Sequence, residues 1–297
     1  MRGIFTIPST PFNADLSIDI SAFRSIVKFC IECGAHGLVY PVNASEFTTL
    51  SDEERMTLSE ELVKTTAGKI PTVIGIASTS KSTAMKFASH AREIGASAVI
   101  AMPPYVRVRS LPDELIFDYY KGISDSGRIP IFIQNYVPPV GTDLGADFLL
   151  KLCREIEWVQ YIKEETVPST LKLQSLLKDN DGSCKGIMGG SGCRYMIEEY
   201  RRGSCGNMPG CHVTDVCVSF WNALEAKNDD LAMRIYRDMA PLFFYEAQLP
   251  GTYKEVLKRR GIISCAASRN STNAPLDEIG SRYLDEILAI LRPYMTV

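Results

Sequence analysis

A lysine lies near the end of a short apolar segment in mid-chain, within EWVQYIKEET at residues 157–166. Lysine is rarely fully buried, and successive residues of a strand point to opposite faces. If Tyr161 and Lys163 point inward, Lys163 tops an apolar column, where burial favours its neutral amine. A neutral amine attacks a ketone to form a Schiff base. The segment therefore predicts aldol chemistry or β-elimination of water, and the alternative is an ordinary ion pair with Glu164 or Glu165.

A Schiff-base lyase also needs a group that moves protons and a site for the substrate carboxylate. Tyr136 ends the preceding apolar run, PIFIQNY, and a phenol can relay protons near an imine. The segment NASE follows the second apolar run, so the amides of Ala44 and Ser45, with the Ser45 hydroxyl, would face an anion. The structural alternatives are a packed interior tyrosine and an ordinary helix cap.

The scaffold for these residues is indicated by short β-branched runs that alternate with longer amphipathic stretches. The eight runs span 3–8, 37–43, 71–77, 98–104, 130–136, 159–165, 184–190 and 203–210. Such alternation implies a parallel sheet covered on both faces, and eight units imply an α/β fold of the (β/α)8 TIM-barrel type. A doubly wound open sheet is the alternative, but no Gly-x-Gly-x-x-Gly follows the first run.

The stretches between the runs carry helix signals. Ser51 and Glu54 form the pattern of a capping box, and Gly68 is a typical residue at a helix end. After the eighth unit, YKEVLKRRG and LDEIGSRYLDEILAILRPYM predict further helices. We therefore predict a single domain over residues 1–297, with the barrel in 1–225 and a C-terminal helical extension in 226–297.

Active sites of such barrels lie at the carboxyl ends of the strands. The chemically versatile residues expected there are Thr10, Asn43, Ala44, Ser45, Glu46, Tyr105, Gln134, Asn135, Tyr136, Lys163, Glu164, Gly189, Gly190, Ser191 and Asn207. The glycine-rich segments GGSG and GNMPG follow the seventh and eighth runs. They are consistent with phosphate binding and equally with open space for the tail of a substrate.

Composition argues against several classes of partner. The 297 residues carry a net charge of −3 without a basic stripe, so we expect no nucleic-acid partner. No apolar run reaches the length of a membrane span, and the N-terminal residues lack the apolar region of a signal peptide, which predicts a cytoplasmic protein. Nine scattered cysteines, with Cys30 and Cys33 inside a helical pattern, predict reduced thiols rather than a metal site.

Four segments together resemble one family over essentially the whole chain, the class I aldolases and dehydratases typified by dihydrodipicolinate synthase and N-acetylneuraminate lyase. PSTPF resembles the motif after the first strand, VNASEFTTLSDEER the Gly-Thr-Thr-Gly-Glu-x-x-x-Leu segment, AMPPYV the Thr-Pro-Pro-Tyr-Tyr segment and YIKEET the Gly-x-Lys-Glu segment. The resemblance implies an imine on Lys163, a 2-oxo acid substrate such as pyruvate, no metal or organic cofactor, and a homo-oligomer, usually a tetramer of two tight dimers.

Departures from the synthase concern its second substrate. Asn43 and Ala44 stand where its motif has two threonines, Ser45 where it has its second glycine, and Val106 where it has its second tyrosine. Its proton relay is therefore missing. Val140 stands where an arginine grips the carboxylate of aspartate semialdehyde. These departures disfavour the synthase reaction.

The catalytic tyrosine of the family has two possible counterparts. Alignment on the asparagine of QNYVPP puts Gln134 in its place, and a gap shifted by one residue brings up Tyr136 instead. NASE, MPPY and IQN look more like the branch that dehydrates or cleaves 2-keto-3-deoxy sugar acids, which includes enzymes similar to 2-keto-3-deoxy-arabonate dehydratase. Polar side chains at Asn43, Gln134, Ser191 and Asn207 would suit a polyhydroxylated substrate.

The leading hypothesis is a Schiff-base lyase acting on a 2-oxo acid. Its predicted catalytic residues are Lys163, Tyr136 and Gln134, and its predicted binding residues are Asn43, Ala44, Ser45, Gly189, Gly190 and Asn207. The alternatives are dihydrodipicolinate synthase proper, a non-catalytic barrel that senses a 2-oxo acid, and a sugar-phosphate enzyme that uses the two glycine-rich loops.

Overall fold

The computed structural model describes residues 1–104, 111–137, 142–249, 251–270 and 275–297. Its eight strands are hydrogen-bonded in chain order and close into a barrel, which confirms the predicted (β/α)8 fold. The strands are β1 Gly3–Thr6, β2 Gly37–Tyr40, β3 Thr72–Gly75, β4 Ala98–Ala101, β5 Ile131–Tyr136, β6 Val159–Glu165, β7 Gly186–Gly189 and β8 Gly206–Asn207. The expectations at Tyr105, Val106 and Val140 lie outside the described residues.

The strands pair in parallel and most are shorter than the runs that predicted them. Parallel registers join β1 to β2 and each consecutive pair from β3 to β8. All four residues of β4 are buried, as expected for a sheet covered on both faces. β2 ends before Pro41, because a proline nitrogen carries no hydrogen for the ladder.

Eleven α-helices lie within the described residues. They are α1 Ile20–Glu32, α2 Asp52–Thr66, α3 Lys81–Glu93, α4 Asp113–Gly127, α5 Ala146–Glu155, α6 Ser169–Asp179, α7 Met196–Arg202, α8 Thr214–Glu225, α9 Asp229–Gln248, α10 Thr252–Arg259 and α11 Glu278–Leu291. The predicted capping box is confirmed, since Ser51 Oγ accepts from the Glu54 amide at 3.1 Å and the Glu54 carboxylate accepts from the Ser51 amide at 2.9 Å. The helices α9 to α11 form the predicted C-terminal extension.

Internal packing divides the described chain into two compact units. The first comprises Met1–Arg2, Val39–Val42 and Pro71–Met208, and it holds β3 to β8 with α3 to α7. The second comprises Gly3–Leu38, Asn43–Ile70 and Pro209–Val297, and it holds β1, α1, α2 and α8 to α11. The domain boundary predicted after residue 225 differs from this division and stays a prediction.

The nine cysteines are free thiols, and seven of them are buried. Cysteine commonly packs as a small apolar side chain, which accounts for their positions. In the five described ranges, no group of three or more His, Cys, Asp and Glu side chains could hold a metal ion. None of the helices described is both long enough and apolar enough to cross a membrane.

Candidate active site

Strand β6 has one face toward the helices and one toward the barrel interior. Glu164 is on the helix side, where its carboxylate accepts from Asn135 Nδ2 at 2.8 Å. Asn135 in turn accepts from the amide of Leu144, just before α5, at 2.8 Å. Because successive strand residues alternate, Lys163 and Glu165 point to the other side, into the barrel.

Lys163 is buried and forms an ion pair two residues along its own strand. Its side chain is 3% exposed, and its Nζ lies 3.0 Å from Glu165 Oε2. The same oxygen accepts from Gln134 Nε2 at 2.7 Å, and the other carboxylate oxygen accepts from the Ser191 amide at 3.0 Å. The ion pair considered from sequence is therefore real but interior, and Glu165 is the residue on which this polar network converges.

An aromatic layer lies below this network in the first compact unit. Tyr161, two residues before Lys163, is 8% exposed and stacks on Phe132 with ring centroids 4.5 Å apart. Residues two apart on a strand share a face, so the layer lies on the same side as the lysine. The apolar column predicted beneath Lys163 is present. Above this column, the amine of Lys163 has the carboxylate of Glu165 as its neighbour.

The two candidates for proton transfer lie at successive levels of β5. In the β5–β6 register, Gln134 is opposite Lys163 and Tyr136 is opposite Glu165. Tyr136 is half-buried, and burial raises the pKa of its phenol, as does the Glu165 carboxylate, whereas the Arg194 guanidinium acts in the opposite direction. Gln134 therefore lies level with the amine, and Tyr136 lies one step further along the strand.

The glycines that follow β7 make room for two carboxyl groups. A Cβ at Gly190 would lie 2.1 Å from Glu165 Oε1, and a Cβ at Gly189 would lie 1.8 Å from Glu199 Oε2. Real side chains do not approach this closely, so any larger residue would displace these acids. The sequence suggested phosphate binding or space for a substrate at these positions, and the structure adds that both glycines accommodate protein side chains.

Glu199 of α7 is a second interior acid, and it is held as a neutral group. Its carboxyl accepts from Asn207 Nδ2 at 2.9 Å and from Ser169 Oγ at 3.3 Å. Burial raises its pKa to about 8, and the nearby charges of Glu165 and Glu164 contribute. Asn207, predicted to bind substrate, is itself fully buried and anchors Glu199 at the end of β8.

We expect Glu199 to make folding stability depend on pH. An unfolded glutamate loses its proton near 4.5, whereas the folded protein retains it up to about 8, so stability falls as pH rises through this window. Glu199→Gln, which resembles the neutral acid, should remove that fall, on the order of 3–5 kcal/mol. Urea unfolding of both proteins at pH 5 and pH 9 measures it. Equal pH dependence in the two proteins would contradict the assignment.

The predicted carboxylate cradle lies in the second compact unit. Residues Asn43–Ser45 form a short 3₁₀ turn instead of a helix start, with Asn43 and Ala44 half-buried. The fully buried Ser45 hydroxyl donates to the Pro8 carbonyl at 2.8 Å, and Thr10 Oγ1 donates to the Ser45 carbonyl at 2.6 Å. The Ser45 hydroxyl thus fixes the turn, and the roles predicted for this segment in substrate binding stay predictions.

Glu46, the next residue, forms an ion pair and several hydrogen bonds within the second compact unit. It adopts a left-handed backbone conformation, forms an ion pair with the buried Lys254, and accepts from Ser268 Oγ at 2.5 Å. The amides of Arg269 and Asn270 donate to the same carboxylate oxygen at 3.1 and 3.0 Å. Glu46 therefore ties its loop to residues 268–270.

The sequence indicated Glu165 only as an ion-pair partner of Lys163, and it gave no sign of Glu199 or Arg194. The signal for Glu165 was its spacing of two residues from Lys163, which puts both side chains on one face of a strand. Glu199 lies in α7 and carries no pattern that distinguishes it from a surface helix glutamate. Its position depends on packing between α6, α7 and the last two strands.

Comparison with known proteins identifies the family. Residues 1–185 match the Dihydrodipicolinate synthetase family. The chain is also 31% identical over 297 residues to the L-2-keto-3-deoxyarabonate dehydratase of Azospirillum brasilense, with 98% of this chain and 94% of that protein covered. The chain belongs to the dihydrodipicolinate synthetase family.

Two further similar proteins are named for other reactions than dehydration. A protein of Escherichia coli K12 named as a probable 2-dehydro-3-deoxy-D-pentonate aldolase is 33% identical over 178 residues, 59% of this chain and 57% of its own length. A dihydrodipicolinate synthase structure from Rhodopseudomonas palustris superposes with a TM-score of 0.89 over 98% of both chains at 24% identity, which shows the shared fold. The dehydratase and the aldolase named above are lyases, and this member of the family is a lyase.

Proposed function

We propose that this lyase acts on a 2-oxo acid through a Schiff base on Lys163. The observation that carries the proposal is the buried amine of Lys163, 3% exposed and 3.0 Å from the Glu165 carboxylate. A carboxylate at this distance can take the ammonium proton, which leaves the amine free to attack a ketone. Membership of the family supports the same chemistry.

In the proposed reaction, Glu165 moves each proton. It first takes the proton of Lys163, and the neutral amine adds to carbon C2 of the substrate. Glu165 then returns the proton to the carbinolamine hydroxyl, which leaves as water and gives the protonated imine. The carboxylate next removes a proton from C3, and the resulting enamine expels the C4 hydroxyl, which leaves as water with that proton. Hydrolysis of the imine releases the product and Lys163.

Gln134 positions the acid in this scheme. Its Nε2 donates at 2.7 Å to the oxygen of Glu165 that faces Lys163, and a carboxamide does not act as a general acid or base at neutral pH. The Ser191 amide holds the other oxygen. The proton-handling role that the sequence assigned to Tyr136 or Gln134 therefore passes, in this proposal, to Glu165.

The substrate class follows from the named relatives. One relative that matches nearly the whole chain, at 31% identity, is named as an L-2-keto-3-deoxyarabonate dehydratase, so we propose a 2-keto-3-deoxy sugar acid as substrate and loss of water as the reaction. Cleavage of the C3–C4 bond is the second candidate, because another relative is named as an aldolase. We propose that the amides of Ala44 and Ser45, which follow the second strand, hold the substrate carboxylate, with Asn43 beside them.

The other activities are less favoured. The chain lacks the two threonines of the synthase motif, which are replaced by Asn43 and Ala44. Val106 and Val140 also replace a tyrosine and an arginine of the synthase. A sensor that forms the imine without turnover would leave Glu165 without the removal of a proton from substrate carbon C3. We further propose a cytoplasmic homo-oligomer, a dimer or a tetramer, as the family resemblance implies.

Incubation with a racemic 2-keto-3-deoxy pentonic acid tests the proposed function. Dehydration gives a product lighter by one water, and aldol cleavage gives pyruvate with a two-carbon aldehyde, so mass spectrometry distinguishes the two. Condensation of pyruvate with aspartate semialdehyde is the comparison reaction. Turnover of that pair alone would replace the proposal by the synthase activity, and an imine without any product would favour the sensor.

A further inference from the structure

The loop after β7 has an unusual backbone that carries polar groups to the site. Three successive residues, Ser191, Gly192 and Cys193, adopt left-handed conformations with φ of 53°, 64° and 69°. Only glycine adopts this region without steric cost, so two of the three positions are held there by their surroundings. The turn directs the Ser191 amide to Glu165 at 3.0 Å, and the Ser191 carbonyl accepts from Arg194 Nη1 at 3.2 Å.

Arg194 is thereby connected to the reacting amine through a short series of contacts. Lys163 pairs with Glu165, Glu165 accepts from Ser191, and Ser191 accepts from Arg194. Arg194 is half-buried at the start of the segment that leads into α7. Its guanidinium is therefore held at the Ser191 turn, whose amide contacts the Glu165 carboxylate.

Tyr136 lies on the strand next to Glu165. It is opposite Glu165 in the strand register, and the charges of Glu165 and Arg194 both act on its phenol. Along β5 it is one same-face step, about 6.6 Å, beyond Gln134, which is level with the amine. The Glu165 end of the reacting pair therefore has Tyr136 opposite it in the strand register and Arg194 at the Ser191 turn that contacts it.

We propose that Arg194 and Tyr136 form a subsite for the hydroxyl groups of the substrate that are remote from its imine carbon. The inference deepens the proposed function and depends on it, because the imine at Lys163 fixes where the rest of the substrate extends. A guanidinium offers several N–H donors, and a phenol both donates and accepts, which together suit vicinal hydroxyls. A site built to pair hydroxyls rejects analogues that lack them.

The test compares one substrate that reaches the subsite with one that does not. Arg194→Met should lower kcat/KM for a 2-keto-3-deoxy pentonic acid by about 10- to 100-fold, the effect of losing a charged hydrogen bond. Borohydride trapping of pyruvate, which has no remote hydroxyl, should keep its half-saturating concentration within about twofold. Arg194→Lys should recover part of the loss, and Tyr136→Phe should lower the same kcat/KM.

Arg201→Met is the matched control, because Arg201 is an exposed arginine of α7, and it should behave as the wild type with both compounds. Equal losses for the pentonic acid and pyruvate would overturn the subsite, since they would show a general effect on the site. No loss for either would overturn it as well. Failure of the wild type to trap pyruvate would instead remove the proposed function itself.

Discussion

Lys163→Ala is expected to abolish turnover, with kcat/KM lower by about 10⁴-fold or more, because loss of a covalent nucleophile has effects on this scale in other enzymes. The variant leaves the Glu165 carboxylate with its two hydrogen bonds, from Gln134 and Ser191, but without its cation. Removal of one partner of a buried ion pair costs on the order of 3–5 kcal/mol of stability. Assay of turnover with circular dichroism of the same samples separates the two effects.

A double variant serves as the control for folding. Lys163→Ala combined with Glu165→Gln removes both charges, so it should recover stability relative to Lys163→Ala while staying inactive. Activity within tenfold of the wild type in either protein would contradict the role of Lys163. Because Glu165→Gln by itself should lower kcat, the double variant is compared with Glu165→Gln, and its further loss of turnover is the effect of Lys163.

Glu165→Gln is expected to lower kcat by about 10²- to 10⁴-fold, the usual contribution of a positioned acid or base. A glutamine at this position keeps the shape of the side chain but cannot accept the proton of Lys163 or of substrate carbon C3. Exchange of the methyl protons of pyruvate with deuterated water, followed by proton NMR, measures imine formation and the C3 step together, without the later loss of the C4 hydroxyl. We expect exchange to fall together with turnover.

Two companion variants sharpen this prediction. Glu165→Asp retains the carboxylate and should recover part of the exchange rate, whereas Glu157→Gln changes an exposed glutamate shortly before β6 and should leave it unaltered. If Glu165→Gln exchanges pyruvate protons at the wild-type rate, Glu165 is not the base. Tyr136 would then regain the role that the sequence first suggested.

The barrel was predictable because its signal is repeated. Eight apolar runs separated by helical stretches leave few arrangements, and each run corresponds to an observed strand. The predicted ends of the strands were less accurate. β2 ends before Pro41, and β8 is limited to Gly206–Asn207, because backbone hydrogen bonding, not apolar character, sets the length of a strand.

The reacting lysine could be located from sequence, but its electrostatic surroundings could not. Lys163 is in a strand, so its position near the carboxyl end follows from the barrel. To identify its partner, Glu165, one must know which residues share a strand face. To identify Glu199 and Arg194, one must know how α7 and the left-handed turn before it pack. Ser45 shows the reverse case, because a hydroxyl expected at the substrate donates to the Pro8 carbonyl.

The most direct measurement is reduction of the wild-type protein with borohydride in the presence of pyruvate, followed by intact mass and peptide mapping. The chain contains an internal comparison, because Lys254 is another buried lysine, 3% exposed, whose pKa is lowered by burial. We predict a single adduct, on Lys163. An adduct on Lys254 alone, or on no lysine, would contradict a Schiff-base mechanism at Lys163.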